Sequence, residues 1–189
     1  MISAGEALLK LKQGNKAFVR EMSGGDTSLH KRQETAANGQ CPYAVLICCS
    51  DSRVLPEQIF SAGIGELFVI RVAGNVMDDH QLGSVEYAAE HLGVKLIVVM
   101  GHDGCGAVHA AIHHEPEGYI RFITDEIRRA IGDETDEYKA CCLNVRRSMD
   151  TIEESFAIHR EEEHGLRVAG AVYHLATGEV DFPDCLAGR

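Results

Sequence analysis

The sequence predicts an α/β protein in which a largely parallel sheet is covered by helices on both faces. Three segments support this prediction: 43–49, 67–71 and 94–100 are continuous apolar runs, as expected of strands that are buried on both faces. Helix-like stretches lie between these runs, at 55–60 and 79–92. Strands that alternate with helices favour right-handed βαβ units, and therefore parallel strands.

The chain opens with a predicted amphipathic helix. Ser3 to Glu6 has the pattern of a capping box, which marks the start of a helix. The apolar positions that follow form one narrow stripe, which consists of Leu8, Leu11, Phe18 and Met22. So narrow a stripe indicates a helix that lies over another part of the chain or over a partner subunit. A second, short helix is expected around residues 31–37.

The C-terminal part of the chain predicts more helix and then a hairpin. Charged, helix-favouring sequence fills 116–163. Residues 166–175 then have strand character, Thr177-Gly178 marks a tight turn, and 179–182 predicts a shorter strand. No linker rich in Pro and Ser divides the sequence, and 189 residues suit one core. We therefore predict a single domain over residues 1–189.

Composition and charge indicate a soluble globular protein and restrict its partners. Hydrophobic residues make up 45% and charged residues 25% of the chain. The net charge of −11 argues against a nucleic-acid partner, because nucleic-acid binding requires clustered Lys and Arg. The longest apolar run, 96–100, is too short to span a bilayer, so no membrane partner is expected. The first residues lack the pattern of a signal peptide, and we therefore expect a cytoplasmic protein.

The seven cysteines are expected to be free thiols or metal ligands. A reducing compartment does not favour a disulfide framework, and the odd number of cysteines agrees with this interpretation. The cysteines stand at positions 41, 48, 49, 105, 141, 142 and 185.

Candidate metal ligands follow two of the predicted strands. Cys49 ends the first apolar run, and His102 and Cys105 come directly after the third. Ligands of open parallel sheets gather at the carboxyl ends of the strands, so these side chains converge if the two strands are neighbours. Two thiolates and one imidazole are a donor set that suits Zn²⁺.

The same segment offers two further polar residues and an open coordination position. Three protein ligands leave the fourth position of zinc free, as in catalytic sites. Asp51 could reach the metal or a water on it, and Arg53 could hold Asp51 by a bidentate ion pair. Each feature alone has a commoner explanation, because strand-end cysteines are usually core residues and Asp–Arg pairs are usually solvated. Their coincidence at two strand ends favours the metal site.

These motifs resemble the β-carbonic anhydrase family. The similarity covers most of the chain, and it rests on Cys49-Ser50-Asp51-Ser52-Arg53, Glu66 to Arg71, Ala73-Gly74-Asn75, Gly101-His102-x-x-Cys105-Gly106, Asn144 to Ser148 and Val168 to Tyr173. The resemblance implies reversible hydration of carbon dioxide to bicarbonate and a proton by a zinc-bound hydroxide. The zinc would be held by Cys49, His102 and Cys105. Asp51 would either occupy the fourth position, which gives a closed and inactive form, or pair with Arg53.

The resemblance also carries expectations about architecture and the substrate pocket. It implies a core of four parallel strands that is extended by an antiparallel one, and a homodimer or homotetramer in which residues 1–38 form a helical arm. Gln40, Phe68 and Tyr87 match substrate-pocket positions of the plant-type subgroup, near the dimer interface. A backbone N–H near Gly106 would stabilise the developing carboxylate.

Two other functions use the same framework. One is hydrolysis of carbonyl sulfide or carbon disulfide at the same zinc ion, and the other is a non-catalytic zinc or thiol sensor. Asp51 and Arg53 argue against the sensor, because a structural metal site needs neither. The remaining histidines include the adjacent pair His113-His114, which we interpret as solvated because neighbouring residues point to different faces of a helix.

Overall fold

A five-stranded sheet with the strand order β2-β1-β3-β4-β5 forms the centre of the chain. The computed structural model describes residues 2–22 and 24–188. The strands are β1 Ala44–Cys48, β2 Leu67–Arg71, β3 Leu96–His102, β4 Arg167–Tyr173 and β5 Val180–Asp181. Strands β1 to β4 pair in parallel, and β5 pairs antiparallel with β4. The predicted fold class is confirmed.

The described residues form eight α-helices. They are α1 Ala4–Val19, α2 Leu29–Asn38, α3 Pro56–Ile59, α4 Asp79–Glu90, α5 Gly106–His113, α6 Ile120–Ile131, α7 Glu137–Glu153 and α8 Phe156–Glu162. The segment 116–163, which the sequence marks only as helix-favouring, is therefore divided. Gly132, with φ of 56°, ends α6, and the side chains of Asp136 and Ser155 cap the N-termini of α7 and α8.

Strand β3 lies two residues further along the chain than the sequence predicts. Val94 donates its N–H to the carbonyl of Ala88 in α4, so it belongs to the connection and not to the strand. At the other end, Gly101 and His102 pair in register with β4. The expectation that His102 follows the strand is wrong, because His102 is its last residue.

Strand β2 is less buried than its apolar sequence predicts. Residues 67–70 are all only partly buried and Arg71 is exposed, whereas every residue of β1 and β3 is buried. The reason is position: β2 is the edge strand and pairs only with β1. Its outer edge therefore carries backbone groups that have no strand partner among the residues the structure describes.

Side chains of the central strands alternate between two hydrophobic cores. Val45 and Ile47 pack on the face that α4, α7 and α8 cover, while Leu46 and Cys48 pack on the face that α1 and α3 cover. Helix α1 therefore packs on its own chain, with Leu11 fully buried. The predicted apolar stripe is wrong at its end: Met22 lies beyond the last residue of α1 and is 76% exposed.

A buried asparagine in α1 bonds to two other parts of the chain. The Asn15 amide donates to the carbonyl of Ile59 (3.3 Å) and to that of Gly178 (2.8 Å), and its oxygen accepts from the N–H of Val180 (3.0 Å). These bonds fix α1 against α3 and the β4–β5 hairpin. None of the described helices combines the length and apolar character needed to cross a bilayer.

Candidate metal centre

The carboxyl ends of β1 and β3 meet at one edge of the sheet. The two strands are parallel neighbours, with Cys48 beside Met100 in the register. Cys49 directly follows β1, His102 ends β3, and Cys105 is the N-terminal cap residue of α5. Their ligand atoms all lie within 4.8 Å of one another, and all three residues are buried. The predicted convergence is therefore present.

The donor set fits a zinc ion. The two sulfurs are 4.0 Å apart, and tetrahedral zinc with bonds of about 2.3 Å separates two sulfurs by roughly 3.8 Å. The Nδ1 atom of His102 lies 2.8 Å from the carbonyl oxygen of Asp103, which accepts a hydrogen bond from Nδ1–H and so fixes the tautomer. The Nε2 atom is buried without a hydrogen-bond partner. A buried nitrogen with a free lone pair, beside two sulfurs, is what a metal ion would satisfy.

Cys49 is held by a turn that α7 supports. The 3₁₀ turn Ala73–Asn75 places the N–H of Gly74 3.3 Å from the Cys49 sulfur, to which it donates. In α7, the Asn144 amide donates to the Gly74 carbonyl (2.6 Å), and the Ser148 hydroxyl donates to the Asn75 carbonyl (3.0 Å).

Gly74 has φ of 68°, and a Cβ there would lie 2.8 Å from the Ile127 side chain, so both conformation and space require glycine.

The two sulfurs are close enough for a hydrogen bond, with 4.0 Å between them. This hydrogen bond lowers the pKa of Cys49 and raises that of Cys105. The N–H groups of Ala107 and Val108, at the start of α5, oppose this rise by pointing at the Cys105 sulfur. A divalent cation between the two sulfurs would stabilise both as thiolates.

Charge around the imidazole also favours a cation. Burial lowers the pKa of His102, but the polar, negatively charged Cys49 sulfur beside the ring outweighs burial and raises the pKa overall. The pocket that encloses Nε2 is therefore negative in character.

Asp51 and Arg53 form the predicted bidentate pair beside these ligands. Arg53 donates from Nε to Oδ1 of Asp51 (2.9 Å) and from Nη2 to Oδ2 (2.7 Å). These bonds hold the pKa of Asp51 well below its usual range, although partial burial acts in the opposite direction. Oδ2 of Asp51 lies 3.9 Å from Nε2 of His102, so the carboxylate stands next to the ligand set.

Arg71 holds the backbone of the same loop. Its guanidinium donates to the carbonyl of Cys49 (3.2 Å) and to the carbonyl of Asp51 (2.7 Å). Arg71 therefore fixes the position of the Asp51 backbone relative to the end of β1. Neither Arg71 nor Asn144 is among the candidate site residues that the sequence suggests. The only sequence signal for these two residues is their place in the family motifs, because the contacts join distant parts of the chain.

The remaining predicted site residues divide into two groups. Gly106 is the first residue of α5 and lies directly after Cys105, so its backbone is at the metal centre. Gln40, Phe68 and Tyr87 are elsewhere in the chain. Gln40 precedes β1, whose five residues separate it from Cys49 by about 17 Å. Phe68 is beside Val45 at the start of β1, and its ring centroid is 6.3 Å from that of Tyr87.

The fold and the site together define an α/β protein with a Cys₂His set of candidate metal ligands and an adjacent carboxylate. The sequence profile of the family described as carbonic anhydrase matches residues 44–180. A carbonic anhydrase of Mycolicibacterium smegmatis is 37% identical over 185 residues, which cover 91% of this chain and 89% of that protein. Carbonic anhydrase 2 of Mycobacterium tuberculosis is 36% identical over 186 residues, covering 92% and 90% respectively.

Solved structures agree with these matches. A tetrameric β-carbonic anhydrase of Sordaria macrospora superposes with a TM-score of 0.75 at 26% identity, over 85% of this chain and 89% of that one. A Coccomyxa β-carbonic anhydrase in complex with acetazolamide gives a TM-score of 0.73 at 29% identity, over 82% and 77%. The chain belongs to the β-carbonic anhydrase family. Carbonic anhydrases are lyases, and their general activity is the hydration of carbon dioxide.

Proposed function

We propose that this chain interconverts carbon dioxide and bicarbonate with a Zn²⁺ ion held by Cys49, His102 and Cys105. The observation that carries the proposal is the convergence of these three buried ligand atoms within 4.8 Å of one another. Family membership supports the reaction, and the soft donor set supports the metal.

Each residue of the centre has a separate task in this proposal. Zinc bound there would lower the pKa of a coordinated water to about 7 and so supply a nucleophile near neutral pH. The ionised Asp51 carboxylate only accepts hydrogen bonds, so it would accept one from the attacking water and direct a lone pair at the carbon of the substrate. The N–H of Gly106 would donate to the carboxylate oxygen that gains charge.

Arg53 decides which of two positions Asp51 adopts. Because both oxygens of Asp51 accept hydrogen bonds from the guanidinium, the carboxylate is kept from the ligand set. This geometry supports the open form, in which the fourth zinc position is left to water. Asp51 as a zinc ligand stays a prediction for conditions that break the ion pair.

We further propose that the substrate pocket is completed by a second copy of the chain. Gln40, Phe68 and Tyr87 are separated from the metal centre of their own chain, yet Phe68 and Tyr87 contact each other beside the half-buried edge strand β2. Tyr87 is 48% exposed, so part of its ring is open to contact with another chain. A partner subunit at this edge would cover these rings and bring the three residues to its own metal centre.

The wider organisation follows the same reasoning. A homodimer or homotetramer is supported by the tetrameric relative, and residues 1–38 would contribute an arm, since α2 has only partly or fully exposed residues. One domain over residues 1–189 accounts for the single sheet. None of the seven cysteines forms a disulfide, which suits the reducing cytoplasm.

The test combines metal content with stopped-flow carbon dioxide hydration. We expect one zinc per chain and rapid hydration in the wild type. Cys105→Ser should lose both, whereas Cys185→Ser, which removes an exposed thiol, should change neither. Unchanged zinc content in Cys105→Ser would remove this residue as a ligand. Sulfide release from carbonyl sulfide, measured in parallel, would overturn the substrate assignment if it were faster than hydration.

A further inference from the structure

A second group of metal-binding side chains lies outside the centre described above. His109 and His113 stand one turn apart on α5, with ring centroids 4.6 Å from each other. The third member is Glu137, the first residue of α7. The ligand atoms of these three residues also lie within 4.8 Å of one another.

A single carboxylate oxygen stands between the two imidazoles. Oε1 of Glu137 is 2.6 Å from Nδ1 of His109 and 3.8 Å from Nε2 of His113. The three side chains are 50%, 47% and 43% exposed in the order His109, His113, Glu137, so an ion in solution has direct access to them. The exposure of His113 agrees with its interpretation as a solvated histidine, but the ring also lies beside His109 and Glu137.

The donor set selects a class of ion. Two imidazoles at positions i and i+4 of a helix present their nitrogens on one face, as in the helical histidine pairs that bind zinc. Imidazole favours first-row transition metals such as Zn²⁺, Ni²⁺ and Cu²⁺, whereas Mg²⁺ and Ca²⁺ prefer sites built from oxygen alone. The carboxylate of Glu137 would offset part of the charge of the ion.

We infer that His109, His113 and Glu137 form a second metal site, which takes a divalent transition-metal ion at the surface. This site differs from the buried centre in both donor type and position. Cys105 precedes the first residue of α5 and His113 is the last, and eight helical residues span about 12 Å. A bound ion would join the C-terminal end of α5 to the first turn of α7.

The inference does not depend on carbon dioxide hydration, and its test starts from protein that contains the buried zinc. After dialysis against metal-free buffer, the zinc content is counted and Zn²⁺ is then titrated calorimetrically. We expect the wild type to take up one further equivalent per chain. His113→Ala should weaken this uptake by about 100-fold or more, because it removes a direct ligand, and even indirect contacts are worth about 10–100-fold in metal affinity. Hydration before the titration should be unchanged in this variant.

A matched control and a spectroscopic measurement separate the site from general binding by surface histidines. His159→Ala removes a histidine that is 71% exposed and also lies beside a glutamate, Glu162, so it should leave the second equivalent in place. With Cu²⁺, electron paramagnetic resonance of the wild type should show nitrogen coupling that His113→Ala reduces. The inference is overturned if the wild type binds no second equivalent, or if His113→Ala and His159→Ala bind it equally well.

Discussion

At the scale of single residues, Arg53 illustrates how an exposed ion pair can control chemistry. Its side chain is 58% exposed, and exposed ion pairs contribute only about 0–1 kcal/mol to stability. Its partner Asp51 is only 16% exposed, and both carboxylate oxygens are occupied by the guanidinium. Loss of Arg53 should therefore release Asp51 without unfolding the chain.

We predict that Arg53→Ala keeps its zinc and loses hydration by about 100-fold or more, the usual cost of removing a positioned polar group from an active site. The folded pKa of Asp51 is depressed below 3.8, so the carboxylate is ionised near neutral pH and loses its charge only in strong acid. Zinc analysis and stopped-flow assays at neutral pH measure the two quantities. Arg129→Ala, which removes a more exposed pair with Glu126, is the control. Full activity in Arg53→Ala would show that Arg53 does not position Asp51.

We also predict a weaker metal centre in Asn144→Ala. This change leaves the Gly74 carbonyl without its donor, at a cost of about 1–3 kcal/mol in the free energy of unfolding, and loosens the turn whose N–H faces Cys49. Zinc affinity should fall by about 10–100-fold, measured by competition with a chelator. Thr151→Ala, on the same helix, removes a hydroxyl that donates to the Arg147 carbonyl of that helix and should have no such effect. Equal affinities in the two variants would contradict the supporting role of the turn.

At the scale of elements, the contact between β3 and α7 determines where the end of β3 lies. A Cβ at Gly101 would be 2.6 Å from the sulfur of Cys141 and 2.8 Å from the side chain of Val145. The helix therefore lies against bare backbone, directly before His102. The position of one ligand thus depends on the absence of a side chain at the preceding residue.

Gly101→Ala should consequently destabilise the chain by about 1–3 kcal/mol, the usual cost of overpacking a filled core. Gly83→Ala is the matched control, because a Cβ there meets nothing within 4 Å and the residue lies in α4. Alanine in that helix should stabilise by about 0.5–1 kcal/mol. Urea unfolding of both variants provides the comparison. If Cys141→Ala, which shortens the opposing side chain, failed to restore any stability to Gly101→Ala, the steric explanation would be wrong.

The elements differ in how well the sequence predicts them. Strands β1 and β2 are predicted to within one residue at each end, because turn residues flank their continuous apolar runs. The sequence does not fix the end of β3, because Gly101 and His102 are strand residues only through their pairing with β4. The exposure of β2 depends on its place in the strand order, which apolar character does not reveal.

At the scale of the whole molecule, the same distinction applies to functional groups. Cys49, His102 and Cys105 can be predicted because two strand ends bring them together. The sequence does not predict that His109, His113 and Glu137 come together. Glu137 is 28 residues from His109, and its approach depends on how α7 packs on α5. Gln40 can be matched to a pocket position of the family, yet within a single chain it lies away from the metal centre.

A mixture of two variants tests whether the pocket is shared between subunits. Gln40→Ala should reduce hydration by removing a substrate contact, and Cys105→Ser should abolish it by removing a metal ligand. In a mixed dimer, the intact Gln40 of the Cys105→Ser chain would serve the intact metal centre of its partner, so refolding the two variants together should restore part of the activity. Each variant refolded alone is the control. No gain from the mixture would place Gln40 outside the partner's pocket.

The neighbouring sulfurs of Cys48 and Cys49 have a consequence for how the protein is assayed. Cys48 packs in the core beneath α1, and the sulfur of Cys49 points to the metal centre. Burial raises the pKa of the Cys48 thiol, whereas the hydrogen bond with Cys105 lowers the pKa of Cys49. A thiol reagent applied to metal-free protein should therefore modify Cys49 and leave Cys48 intact. Because a bound ion would protect Cys49, the loss of its reactivity counts occupied centres independently of turnover.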